Sequence, residues 1–197
     1  MDNNLVVLIL AAFSLMGSPG PATLSVAAVG SAFGAAHGRR YLAGIILGTT
    51  GVVMTVASGI TGLVLAQPKF VIVISVFAGG YILYLAYKIA TAPVISKSGQ
   101  LKKVPSFYAG FVLAISNPKA FAAISAVYSG SSIVPNDLVL DGLVKTTVLS
   151  MVVVVVNSSW LVFGAALSSV LSDPFWGRVA NLNFALLLVV SVAMAFI

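Results

Sequence analysis

Six long, mostly apolar stretches, parted by short polar breaks, constrain this chain more than any other feature. They cover residues 5–33, 41–66, 70–90, 107–130, 146–171 and 175–197. A helix needs roughly 20 such residues to cross a hydrocarbon layer about 30 Å thick, so each stretch is expected to span a membrane. The rest of the composition leaves little alternative. Only 7% of the 197 residues are charged, against about 25% in an ordinary soluble domain. Such a chain cannot coat a globular surface with polar groups. An all-α integral membrane protein with six transmembrane helices is expected.

The breaks carry their own signals. His37-Gly38-Arg39-Arg40 is expected to turn the chain after the first stretch, and Gln67-Pro68-Lys69 after the second. Residues 93–105 form a lysine-bearing connector, and 133–145 holds Pro135, Asn136, Asp137 and Asp141. Ser172-Asp173-Pro174 has the order of a helix stop, a cap and a first-turn proline. The first four residues include an acid and no base, unlike a secretory leader, so the first stretch is expected to be a retained span.

Charge placement gives an orientation. Arg39 and Arg40 follow the first stretch, Lys88, Lys97, Lys102 and Lys103 the third, and Arg178 the fifth. The opposite side, counting the N-terminus, holds Lys69 and Lys145 and three of the four acids. By the positive-inside rule the seven-base side is cytoplasmic, which places both termini outside a multi-pass protein of the cytoplasmic membrane. The net charge of +6 is explained by this asymmetry, and with no aromatic-basic stripe no nucleic-acid partner is expected.

An odd number of spans on each side of a basic linker divides the chain into residues 1–91, 92–105 and 106–197. The outer two parts would be three-helix repeats of opposite orientation, an architecture common in secondary transporters. Each repeat carries a helix-breaking motif early in its first span. Ser18-Pro19-Gly20-Pro21 and Asn117-Pro118-Lys119 place Pro19 and Pro118 99 residues apart.

These two motifs lie where a helix break costs most. Lipid supplies no hydrogen bonds, so backbone groups freed there must face protein or a wet cavity. Pro21 suits the first turn of a new half-helix, whose exposed N–H groups and positive dipole end favour an anion such as a carboxylate. Thr23 adds a hydroxyl. A plain proline kink repaired by neighbouring helices is the structural alternative. Lys119 lies about 18–20 Å into its span at 1.5 Å per residue, where a base is a functional candidate by default. It could neutralise a carboxylate, carry a proton, or tether carbonyls freed by Pro118. Asn117 could bind substrate or cap the half-helix.

Weaker polar candidates are Thr49 and Asn157, which would line a cavity or bond between helices, and Tyr84, near the inner end of the third stretch, which would join the site or an interfacial aromatic belt. Gly30, Gly34 and Gly38, and then Gly44 and Gly48, recur every four residues. They read as faces for close helix approach, within one chain or in a homodimer. The chain has no cysteine, no glutamate and one histidine, His37. Disulfides, thiolate sites and histidine metal clusters are excluded, no cofactor is expected, and catalysis at depth is disfavoured.

Five segments together resemble the LysE/RhtB-type amino-acid exporters: "SPGPATL", "GIILGTTG", "GGYILYLAYK", "FYAGFVLAISNPKAF" and "NSSWLVFGAAL". Their order and spacing agree over nearly the whole chain. The resemblance implies efflux of an amino acid or related metabolite driven by the proton gradient, with no enzymatic activity. Two departures bear on the substrate. Many members have Asn where this chain has Ala22, and an acidic or strongly polar residue where it has Thr49. A small, zwitterionic or hydroxylated substrate is therefore expected in preference to a basic one. The favoured mechanism is alternating access around a midplane site built from Ser18, Pro19, Gly20, Pro21, Thr23, Thr49, Tyr84, Asn117, Pro118, Lys119 and Asn157. The alternatives are an ion or metal-ion transporter of the same architecture and a non-transporting membrane scaffold.

Overall fold

A computed structural model describes residues 2–59, 76, 79–80, 82–84, 86–87, 90–91, 104–130, 132–167 and 173–193. Among them the regular structure is entirely α-helical. The helices are α1 (Asp2–Gly17), α2 (Pro21–Ala57), α3 (Phe107–Ile115), α4 (Pro118–Ser129), α5 (Leu138–Leu167) and α6 (Pro174–Ala193). The described residues between 76 and 90 are helical too. The remainder of the expected 70–90 span, most of the 92–105 linker and the Gln67-Pro68-Lys69 turn lie outside the described residues. By length and composition α2 and α5 can cross a membrane, and the α3–α4 pair, bent by 57° at its break, would make a third span.

α2 is not one straight rod. Its 37 residues would extend about 55 Å and hold residues 25 and 41 about 24 Å apart. Instead the Tyr41 hydroxyl donates to Ser25 Oγ at 2.9 Å. A Cβ on Gly38 would lie 3.3 Å from Val29 Cγ1. The helix therefore doubles back as two antiparallel legs, residues 21–33 and 35–57. The reversal falls at Gly34, with φ 78° and ψ 161°, a backbone region open essentially to glycine alone. The turn expected at residues 37–40 is thus displaced, and those residues are helical, with Arg39 Nε donating to Ala36 O at 3.1 Å. The polar residues at 37–40 mark an end of an apolar stretch in the sequence. The reversal itself needs backbone freedom that only Gly34 supplies.

Small residues let these helices touch backbone to backbone. A Cβ on Gly30 would strike Leu161 O of α5, and one on Gly164 would strike Ala27 O of the first leg. Gly44 is pressed against Phe107 O in the same way. Cβ atoms on Gly48 and Gly110 would lie 2.8 Å from Phe111 O and 2.5 Å from Tyr41 O. Accordingly α2 packs most extensively against α5 and α3. Two apolar clusters fill the space between. One gathers Leu24, Tyr41, Ile45 and Leu113 with Leu161 and Leu188. The other joins Leu8 and Ala12 of α1 to Val53, Ile124 and Leu149.

α5 begins at Leu138, eight residues before the expected start at 146, so Asp141 and Lys145 belong to the helix and not to a connector. Each supplies the other's counter-charge: Lys145 Nζ lies 2.7 Å from Asp141 Oδ2, one turn away, with both side chains buried. Asp141 Oδ1 also accepts from the N–H groups of Ile133 (2.5 Å) and Val134 (2.9 Å), and Lys145 donates to Tyr128 O at 2.9 Å. Asp137 begins the helix by accepting from Leu140 N at 2.9 Å. At α6, Asp173 Oδ1 accepts from Phe175 N and Trp176 N at 2.9 and 3.2 Å.

Candidate functional site

The two proline breaks meet. α1 stops at Gly17 and α2 starts at Pro21, so the carbonyls ending α1 have no helical partners. Several carbonyls at this break are taken up nearby. Ser18 Oγ donates to Leu15 O at 2.8 Å, and Trp160 Nε1 of α5 donates to Gly17 O at 3.1 Å. Lys119 Nζ, from the first turn of α4, donates to Ser18 O at 2.6 Å and to Pro19 O at 2.8 Å. One ammonium thus ties the break in the first expected span to the break in the fourth, about a hundred residues away, and sets a positive charge at the carbonyl end of α1. Gly20 makes the approach fit: a Cβ there would lie 2.6 Å from Lys119 Cδ and 2.8 Å from its Nζ.

The start of α2 is left open. Pro21 has no N–H, and Gly20 at the cap position has no side chain, so no side chain caps this end. Thr23 Oγ1 turns inward, accepting from Gly20 N at 2.9 Å. α4 is capped instead, by Asn117 Oδ1 accepting from Lys119 N at 3.2 Å.

Between these ends lies a small cavity, about 40 Å³. Of the site residues expected from sequence, Gly20, Thr23, Thr49, Asn117, Lys119 and Asn157 line it. Ser18 and Pro19 act through the carbonyls that hold Lys119, while Pro21 and Pro118 sit at the first positions of their helices. Tyr84 is not brought to the cavity; it is 53% exposed elsewhere. Lys119 alone among the lining residues is charged. Leu15, Met16, Ala120, Ala123, Ile124, Val153 and Val156 form an apolar wall that sequence reasoning missed. Their types suit lipid, core and cavity alike, so nothing in the sequence singles them out. Trp160 was missed as a tether; a lone tryptophan beside Asn157 and two serines, within an apolar stretch, was the available signal.

Two lining groups have no hydrogen-bond partner among the described residues: Thr49 Oγ1 and Asn157 Oδ1. Both residues are more than nine-tenths buried, at 7% and 5% exposure. A buried polar atom left unpaired is destabilising, and its recurrence at a cavity points to a ligand.

Residues 13–197 match the family of LysE type translocators. The proteins named cysteine/O-acetylserine efflux protein in Escherichia coli (strain K12), Shigella sonnei (strain Ss046) and Shigella flexneri are each 30% identical to this chain. Each match covers 182 residues, 91% of this chain and 90% of the relative. No solved structure matches the chain.

Proposed function

Because the chain belongs to the LysE type translocator family, and so is a membrane transporter and not an enzyme, we propose that it exports a small amino acid or related metabolite across the cytoplasmic membrane. The observation that carries the proposal is the cavity where both helix breaks meet. It offers what a small zwitterion needs: an uncapped helix start and an ammonium for a carboxylate, apolar walls, and unpaired polar oxygens. The relatives named for cysteine and O-acetylserine efflux support a small, uncharged side chain. A strongly cationic substrate fits poorly, since the one charged lining group is itself a cation.

The mechanism we propose is alternating access. Residues 1–91 and 106–197 act as inverted three-helix repeats joined by the cytoplasmic linker 92–105, with six spans and both termini outside. The repeats rock about the cavity, and the proton gradient drives export. The third N–H of the Lys119 ammonium, beyond the two given to Ser18 O and Pro19 O, is the donor we assign to the substrate carboxylate.

Purified protein in proteoliposomes, loaded or challenged with labelled amino acids with and without a pH gradient, tests this. Gradient-dependent movement of small neutral amino acids, competed by O-acetylserine and not by lysine or arginine, is expected. Movement of inorganic cations with no amino-acid transport overturns it.

A further inference from the structure

The proposed carboxylate site leaves Thr49 and Asn157 unexplained. They come from different elements, the second leg of α2 and the middle of α5, yet line the same cavity and carry its unpaired oxygens. The Asn157 amide is held in one orientation, because its Nδ2 donates to Val153 O at 2.8 Å. The acceptor Oδ1 is therefore the free end. An apolar residue at this place would avoid the penalty of an unpaired buried oxygen. Ser125 Oγ is also unpaired among the described residues, but it does not line the cavity. The two oxygens that do are supplied beside donors already assigned to a carboxylate. A molecule with a carboxylate at one end then has a cation or donor to place elsewhere.

We propose that Asn157 Oδ1, with Thr49 Oγ1, forms the subsite that accepts the α-ammonium of a small zwitterionic substrate. The inference rests on the exporter function proposed above. It adds the residues that distinguish an amino acid from an acid lacking the amine. Asn157 is the principal acceptor, since its amide is fixed and its oxygen has no other use. Thr49 has a rotating hydroxyl that can accept from the ammonium or donate to a polar side chain of the substrate. Both acceptors are neutral. The site therefore binds an ammonium whose charge is balanced within the substrate, and gives a second cationic group no counter-charge.

The test is competition in proteoliposomes between L-serine and 3-hydroxypropionate, the same skeleton without the amine. The protein is compared with Asn157→Leu and Thr49→Val. The wild type is expected to prefer serine by about tenfold to a hundredfold, the range for a hydrogen bond to a charged group. Asn157→Leu is expected to lose most of that preference through a weaker apparent affinity for serine, with 3-hydroxypropionate little changed. Its thermal unfolding midpoint in detergent is expected to stay at or above the wild type's, which separates loss of the subsite from loss of fold. A preference that survives in both variants overturns the assignment. So does a wild type that fails to distinguish the two compounds. If Asn157→Leu does not fold, an unaltered preference in Thr49→Val overturns the pairing. A wild type that moves no amino acid overturns the exporter function first, and this subsite with it.

Discussion

Lys119 should hold the two helix breaks together as well as face the cavity, and the contribution can be worked out. Its ammonium makes two hydrogen bonds, at 2.6 and 2.8 Å, to carbonyls that have left the helix within the expected first span, where lipid would offer nothing in exchange. A hydrogen bond to a charged group contributes about 1.5–3 kcal/mol, so the two give about 3–6 kcal/mol. Removing the lysine also relieves the desolvation of its charge, which offsets part of this, leaving a net loss of about 2–4 kcal/mol for Lys119→Ala. Gly20→Ala should act through the same atoms, since its Cβ would lie 2.6 Å from Lys119 Cδ and push the side chain off the carbonyls. The two losses should therefore not add. In a double-mutant cycle the pair should lose little more than the worse single variant, with a coupling of about 2 kcal/mol. Reversible unfolding in mixed detergent micelles reads all four corners of the cycle. Additive losses, or a Lys119→Ala protein as stable as the wild type, would refute the tether.

Gly164→Leu should cost about 3 kcal/mol in the same unfolding assay, because its side chain would meet the Ala27 backbone, which cannot swing aside. Gly51→Ala is the matched contrast: a Cβ there meets nothing within 4 Å, and the helix should gain up to about 1 kcal/mol. Asp141→Asn should lose about 3–5 kcal/mol by leaving Lys145 buried without its counter-charge. Adding Lys145→Met should restore much of that loss, which thermal unfolding of the single and double variants would report.

The proline breaks were legible because a proline inside an apolar run interrupts the helix, as a kink or a break, whatever surrounds it. α1 does stop just before Pro19, and α2 and α4 do start at Pro21 and Pro118. The reversal at Gly34 was not legible, because Gly30, Gly34 and Gly38 share one spacing. Two of them serve close helix contact and the middle one serves a positive φ. The early start of α5 was hidden for a different reason. Asp141 and Lys145 look like loop charges until their one-turn spacing is seen to let them neutralise each other. At the cavity the polar members stood out against an apolar background, and Lys119 stood out by its expected depth in the fourth stretch. Its carbonyl partners could not be read, since they are backbone atoms of another segment. Tyr84 is exposed away from the cavity, and an aromatic with a hydroxyl has the same composition whether it faces a cavity or the outside.

The proposed function puts the substrate in the cavity between the two breaks. The chain has no cysteine, so a single thiol can report on it without background. Ala123→Cys places that thiol on the cavity wall, and Ser132→Cys places one on an exposed loop as control. The rate of labelling by a small maleimide would be followed in proteoliposomes against increasing serine or O-acetylserine. Protection at residue 123, with a midpoint matching the transport KM, and no protection at residue 132 is the predicted result. Saturable transport with labelling at residue 123 unchanged would contradict the claim and place the substrate elsewhere.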